Sequence, residues 1–406
     1  MDQRLPSRRG FLKKTVVGSL VIGTSAKSEG WGKPRPDTVP LRLEPSEPLR
    51  VGLLGCGNRS STHILGINRY EQIEVVALCD IAPERMHEKS KLIKKGKPRL
   101  FTDYTKMLRD SDIQALVNIL PNHLHRETTV AALSAGKHVL CEKPLGLTVG
   151  ECHAMIEAAE KSRRVLQVGT QHRFSPNYVE LAKQIHGGLA GNVLNAWIQT
   201  FRADWVKVHP DPSEDARINW RMRQEQSGGV IFEMGIHAID LFQWFINSQP
   251  VEVACMGGFH NTRKLESRDS WDHATVVVRY ANDAVLTYGG NLYTSGGRAS
   301  NLLFGDAATL EIASVGSGSN MARLMTSAYW RPFREQEKPS AEAKTLSLPE
   351  VTIDPSYLQY ERFLQAIEGK KPAFPSGRDH IPAIQIARGA LMAAAERRSV
   401  KCSEVI

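Results

Sequence analysis

An α/β fold in two domains, the first built on a parallel, doubly wound sheet, is what the sequence predicts. Three observations carry that expectation. A short apolar run ends in a glycine turn and passes straight into a helical segment. Apolar runs then alternate with helical ones as far as residue 141. The second half holds short β-branched runs separated by turn residues. A chain of 406 residues also exceeds what one core usually holds, even after an N-terminal targeting segment is set aside.

That targeting segment comes first. Ser7-Arg8-Arg9-Gly10-Phe11-Leu12-Lys13 precedes a weakly apolar run, Thr15 to Gly23, and small residues through Ala26. Paired arginines, Phe-Leu-Lys and an apolar run at the extreme N-terminus read as a twin-arginine signal peptide over residues 1–30. The expected destination is periplasmic or otherwise extracytoplasmic, with no stable membrane anchor after processing. Residues 31–48 are Pro-rich and read as an extended linker.

Leu49–Leu54 has the continuous apolar character of a strand buried on both faces, and it runs into Gly55-Cys56-Gly57-Asn58-Arg59-Ser60 and a helix expected to begin near Thr62. Gly55 permits the tight turn, and Gly57 lets backbone approach a pyrophosphate. The helix N-terminus then offers unpaired N–H groups to that negative charge. Ser60 stands where a third Gly or Ala is usual. Ile73–Cys79 reads as the second strand and ends at Asp80, about 20 residues beyond the glycines, where an acid binds ribose hydroxyls. A carboxylate there repels a 2′-phosphate and favours NAD over NADP, although Arg59 or Arg85 could partly offset this. A helix near Pro83–Lys95, a strand Ile113–Leu120, a helix Arg126–Ala135 and a strand His138–Cys141 continue the alternation. Ligands in such folds sit at the carboxyl ends of the strands, where Pro121, Asn122, Glu142 and Lys143 fall. The domain expected from these elements spans residues 49–170 and is a Rossmann, dinucleotide-binding unit.

Composition narrows the function. Hydrophobic residues make up 41% and charged residues 23% of the chain, as in ordinary soluble globular proteins. The net charge of +9 is partly local, because residues 1–30 hold six Lys/Arg against two Asp/Glu. The other basic residues are dispersed and are not interleaved with aromatics as a nucleic-acid platform requires, so no nucleic-acid partner is expected. Six cysteines show no CxxC pair and no metal-ligand spacing, so free thiols and no metal site are expected.

Ala135-Gly-Lys-His-Val-Leu-Cys-Glu-Lys-Pro144 resembles the AGKHVxxEKP signature of the glucose–fructose oxidoreductase / inositol dehydrogenase / rhizopine-catabolism (Gfo/Idh/MocA) family. Gln167-Val-Gly-Thr-Gln-His-Arg-Phe-Ser-Pro176 looks like the segment entering that family's second domain. Gly228-Gly-Val-Ile-Phe-Glu-Met-Gly-Ile-His-Ala-Ile-Asp-Leu241 looks like its GG…DxGxHxxDL motif. The resemblance implies a C-terminal α/β domain, residues 171–406, with a largely antiparallel open sheet that serves substrate binding and homo-oligomer contacts. Val251–Gly257, Ala274–Tyr280 and Ala284–Gly290 are short β-branched runs of the kind such a sheet needs.

The resemblance also implies roles. Lys143 is the EKP lysine, whose fixed ammonium would stabilise alkoxide-like charge as a hydroxyl is oxidised. His237 matches the motif histidine and suits proton transfer near neutrality. Glu233 lies four residues earlier and, on a continuous helix from about Val230 to Phe245, would share a face with His237 and orient its ring. Here the sequence departs from the family, which usually has Asp. Asp240, three residues beyond His237, could support the site from behind or serve packing alone. Asn122 and His125 are expected near the nicotinamide ribose, with Pro121, Glu142 and Asn58 also on the cofactor side. Arg173, Tyr178, Trp205, Trp220 and Arg221 are candidates to line a sugar site, through stacking or through hydrogen bonds to its oxygens.

The function expected is an NAD-dependent oxidoreductase acting on a hydroxyl of a sugar, glycoside or cyclitol. Export would favour a tightly bound, internally recycled cofactor. Two alternatives share these residues: a redox-neutral, NAD-dependent glycoside hydrolase of the same family, and a non-catalytic sugar-binding protein.

Overall fold

The computed structural model describes residues 47–203, 218–260, 268–294, 300–313, 322–326 and 343–406. The expected signal segment, nearly all of the linker, and Trp205 lie outside the described residues.

The first sheet consists of β1 (Leu49–Leu54), β2 (Ile73–Cys79), β3 (Arg99–Phe101), β4 (Ala115–Asn118), β5 (His138–Glu142) and β6 (Leu166–Gly169). All its pairings are parallel, in the order β3-β2-β1-β4-β5-β6. This is the doubly wound order in which the chain reverses direction beside β1 and opens a crevice above the strand ends. Helices α1 (Asn58–Ile67), α2 (Pro83–Ser90), α3 (Tyr104–Leu108), α4 (His125–Ser134) and α5 (Val149–Ser162) make the crossovers. β4 and β5 are buried at every position, which explains why their sequences are apolar without alternation.

After α6 (Pro176–His186), the second sheet is assembled from β7 (Val193–Phe201), β8 (Pro250–Gly258), β9 (His273–Tyr280), β10 (Val285–Asn291), β11 (Ser300–Gly305), β12 (Ala308–Ala313), β13 (Ala322–Thr326), β14 (Ala343–Thr345) and β15 (Val400–Lys401). Its order is β14-β13-β12-β11-β7-β10-β9-β8-β15, antiparallel except between β7 and β10. Along β9, Ala274, Val276, Val278 and Tyr280 are buried while Thr275, Val277 and Arg279 are exposed. One face is therefore core and the other is open. Trp197, Val277 and Met256 stand on the open face, as the register of β7, β10, β9 and β8 requires.

Between β7 and β8 the chain forms the short helix α7 (Gln224–Ser227), a wide π-type turn over Ile231–Gly235, and α8 (Ile236–Ile246). The stretch Gln224–Ile246 is long and apolar enough to cross a membrane by composition, but most of it is buried inside the protein. Its apolarity is that of a core element.

Two further helices follow, α9 (Pro355–Ile367) and α10 (Gly377–Glu396). Although α9 is late in the chain, it returns to the first domain. Tyr360, Phe363, Leu364 and Ile367 pack with Leu49, Val51, Leu53, Ile64 and Ile67 on one face of the parallel sheet. Close approach depends on Gly66 of α1, where a Cβ would stand 2.8 Å from Tyr357 Cδ1 and 3.2 Å from Tyr360 Cε2. Each apolar side chain fully buried in this seam contributes about 1.5–3 kcal/mol. All six cysteines are unpaired, and five are buried.

Candidate active site

The glycine turn leaves β1 with Gly55 at φ 96°. A Cβ there would lie 2.8 Å from the Ile119 carbonyl oxygen, so both backbone angle and space demand glycine. Gly57 caps α1 without any side-chain hydrogen bond, and a Cβ added to it would meet nothing within 4 Å. The first N–H groups of α1 thus open onto space, with exposed Asn58 beside them. Ser60 closes the turn by donating its hydroxyl to the Gly57 carbonyl at 2.6 Å. At the end of β2, Asp80 accepts the Cys56 N–H on Oδ2 (2.7 Å) and the Ala82 N–H on Oδ1 (2.9 Å). Each oxygen keeps a second lone pair, enough for two ribose hydroxyls. An open helix N-terminus and a half-used carboxylate at adjacent strand ends fit a dinucleotide.

β5 delivers Glu142 and Lys143. The Glu142 carboxylate is buried and accepts on both oxygens. Oε1 accepts from Arg59 Nε (2.7 Å) and His63 Nε2 (2.9 Å), and Oε2 accepts the Lys143 N–H (3.0 Å). Burial would raise its pKa, but Arg59 and His63 outweigh that and hold it well below the usual carboxylate value. Arg59 is committed to this pair and to Ser356 Oγ (3.0 Å). Arg59 and Glu142, both expected on the cofactor side, are thus paired with each other within the protein, and Glu142 also holds the backbone at Lys143. The Lys143–Pro144 peptide bond is cis. The lysine side chain crosses to the second domain and donates from Nζ to the Glu233 carbonyl at 3.0 Å. Burial lowers its pKa, opposed by Glu233 and Glu142.

That carbonyl lies one turn before His237. The imidazole is held neutral: burial comes first among the causes that push its pKa well below 6.5, and the Lys143 ammonium is the next. Lys143 thus reaches the segment that carries His237, close enough for its ammonium to act on the imidazole. No hydrogen bond to the His237 ring is found among the described residues. In particular, Glu233 does not orient it. The Glu233 carboxylate accepts from Asn122 Nδ2 (2.7 Å) on Oε1 and from Arg221 Nε (2.6 Å) on Oε2. The expectation of a shared helical face fails because residues 231–235 form a wide π-type turn, which re-aims side chains four apart. Burial would raise the Glu233 pKa, but Arg221, Lys143 and Asn122 hold it below the usual value.

Other expected site residues are placed as follows. Asn122 also donates to the Ser227 carbonyl (2.9 Å), so both its amide hydrogens join the domains. Pro121, directly before it, lies at the turn that follows β4. His125 is buried with carbonyls at both ring nitrogens, Pro144 O at 2.7 Å and Leu120 O at 2.8 Å. A neutral ring donates to one of them, and the contact tethers the loop after Lys143 to the end of β4. Arg221 stacks on Trp220, 4.3 Å from the ring centroid, and both side chains are half-exposed. Arg173 is not on the substrate side. It forms a buried bidentate pair with Asp240, Nε to Oδ2 at 2.8 Å and NH2 to Oδ1 at 2.9 Å. Tyr178 is buried against Phe245 and against His172.

Sequence reasoning missed His172. Its ring meets His237 edge-on at 5.2 Å, and burial pushes its pKa down to about 4. The histidine in Gln167–Pro176 was the available signal. It also missed His63 and Tyr360, whose partners are 79 and 297 residues away.

Comparison with known proteins agrees with this two-domain fold. Residues 49–170 match the oxidoreductase family's NAD-binding Rossmann fold, and residues 184–402 match the same family's C-terminal alpha/beta domain. The chain is 31% identical to the inositol 2-dehydrogenase of Salmonella typhimurium over 202 residues, covering 49% of this chain and 55% of that one. It is 24% identical to the myo-inositol 2-dehydrogenase of Thermotoga maritima over 373 residues, 88% of this chain and 100% of that one. The structure of a levoglucosan dehydrogenase in complex with NADH superposes with a TM-score of 0.73 at 20% identity, covering 88% of this chain and 99% of that one. The Salmonella match thus spans about half the length of that curated relative, while the family match extends through both domains. This chain belongs to the Gfo/Idh/MocA oxidoreductase family.

Proposed function

We propose that the protein is an NAD-dependent dehydrogenase that oxidises a secondary hydroxyl of a cyclitol or sugar. The observation that carries this reading is that Lys143, at the carboxyl end of β5, donates from Nζ to the Glu233 carbonyl, four residues before His237, whose imidazole that ammonium helps keep neutral. NAD, when bound, supplies the hydride acceptor. Gly57, the N-terminus of α1 and Asp80 would hold it. Lys143, fixed by the Glu233 carbonyl, stabilises negative charge on the substrate oxygen. His237, kept neutral by burial and by that same ammonium, takes the hydroxyl proton and returns it in the reverse direction. Glu233 lowers the cost of two nearby cations by pairing with Arg221. Relatives named as inositol dehydrogenases support the oxidoreductase over the redox-neutral hydrolase and the non-catalytic binder.

The test is to incubate purified protein and NAD with a panel of cyclitols, aldoses and nitrophenyl glycosides. NADH formed in step with a keto product is expected. Nitrophenol release without net NADH, or no turnover of any member, would overturn the reading.

Residues 7–13 support export by the twin-arginine route, and Arg8→Lys with Arg9→Lys should hold the protein in the cytoplasm. An exported dehydrogenase needs a retained cofactor, so mass spectrometry of protein purified without added NAD should find it bound. The exposed Trp197, Val277 and Met256 on the open sheet face support a homo-oligomer, to be checked by light scattering.

A further inference from the structure

Behind Lys143 runs a buried chain of hydrogen bonds. The Tyr360 hydroxyl on α9 lies 2.6 Å from His63 Nδ1 on α1, and His63 Nε2 lies 2.9 Å from Glu142 Oε1. Glu142 Oε2 in turn accepts the Lys143 N–H at 3.0 Å. Tyr360 is 1%, His63 0% and Glu142 5% exposed, so water does not compete at any link.

Proton counting fixes the direction of each bond. Glu142, paired with Arg59, is a carboxylate and can only accept. His63 Nε2 must therefore carry a proton. Burial lowers the His63 pKa and keeps the ring neutral, which leaves a lone pair on Nδ1. Among the described residues only Tyr360 is placed to donate to it, and burial holds the phenol protonated by raising its pKa well above 10. The opposite tautomer would aim a lone pair at a carboxylate. One arrangement survives: Tyr360 donates to His63, and His63 donates to Glu142.

We propose that Tyr360 and His63 are positioning residues for Lys143, transmitting the docking of α9 through Glu142 to the backbone that aims the ammonium. The proposal rests on the role of Lys143 given above. Apolar side chains would fill the same space without the desolvation of three polar groups, so a purely structural purpose does not require this chain. Glu142 is held from every side. Arg59 and His63 engage one oxygen, the Lys143 N–H engages the other, and a Cβ on Gly169 would stand 3.2 Å from Glu142 Cα. Removing one contact frees a rotamer directly attached to the lysine. Gly66, which allows α9 to approach α1, puts the phenol within reach.

The test uses the full chain in three measurements. Long-range ¹⁵N NMR of His63, assigned with His63→Gln, should show the neutral Nε2–H tautomer at pH 7; the Nδ1–H tautomer or an imidazolium would overturn the proposal. A crystal structure of Tyr360→Phe should show Glu142 or Lys143 in more than one conformer; single conformers unchanged from the parent would overturn it. In polyol oxidation, Tyr360→Phe should lose about tenfold in kcat with KM for NAD unchanged. His63→Gln, which keeps a donor for Glu142, should retain more kcat than His63→Leu. Folded variants with parental kcat would contradict the proposal. If no polyol is turned over, the dehydrogenase reading fails, while the tautomer and the variant structure still decide the hydrogen-bond chain.

Discussion

Replacing Arg173 with Met separates a structural role from a substrate-binding one. The guanidinium and the Asp240 carboxylate are each 2% exposed and bound by two parallel hydrogen bonds, and His380 Nδ1 adds a third contact to Asp240 at 3.1 Å. Removing one member of a buried pair costs about 3–5 kcal/mol, because the other charge is left uncompensated. Asp240 gives an independent measure. Burial would raise its pKa, yet Arg173 and His380 bring it from 3.8 down to about 2, a linkage of about 2 kcal/mol. Asp240 keeps His380 in the variant, so the expected loss sits at the lower end, about 3 kcal/mol. The sign follows from a depressed carboxylate. In the parent this stabilisation is full above about pH 4 and is lost as pH falls through about 2. Denaturant titrations of parent and Arg173→Met at neutral pH and down through about pH 2 should show the loss at neutrality and a missing acid transition in the variant. KM for the polyol should be unchanged. Parental stability with KM raised tenfold would refute the reasoning and return Arg173 to the substrate site.

Further outcomes follow from the same geometry. Lys143→Met should lower kcat by roughly 10²–10³-fold, the scale of a lost oxyanion-stabilising group, while NAD affinity measured by fluorescence titration stays within a few-fold. His237→Asn should lower kcat by about 10²–10⁴-fold. In the parent, kcat/KM should fall on acidification through a pKa below 6.5, because burial and Lys143 depress the base; an acid limb at or above 6.5 would contradict the assignment. The two glycines should respond differently. Gly55→Ala forces a side chain onto φ 96° and against the Ile119 carbonyl, so its melting temperature should drop. Gly57→Ala sits at φ −71° in open space and should fold normally yet lose NAD affinity at least tenfold, as read by calorimetry.

Much of the first domain was legible because its strands are buried on both faces. Leu49–Leu54 and Ile73–Cys79 are bounded in the structure where the apolar runs begin and end. Helix limits were harder to read. α1 starts at Asn58 rather than near Thr62, since Gly57 caps it without a side-chain signal, and α2 stops at Ser90 rather than Lys95. Residue roles were most legible where backbone chemistry dictates them, as at Gly55. Arg59, Glu142 and Arg173 carry charges that a sequence reader assigns to a ligand. Their partners lie 67 or 83 residues away, so folding alone reveals that these charges pair within the protein. Glu233 illustrates a different limit, because a single wide turn at 231–235 overturns the face that an α-helical spacing predicts.

The account turns on whether Lys143 and His237 serve one substrate oxygen. A crystal structure of the protein with NADH and a polyol that it turns over would measure this directly. Lys143 Nζ and a His237 ring nitrogen should both lie within hydrogen-bond reach, about 3 Å, of the hydroxyl that faces the nicotinamide. A bound polyol whose reacting hydroxyl contacts neither group, or the two side chains lining separate cavities, would contradict it.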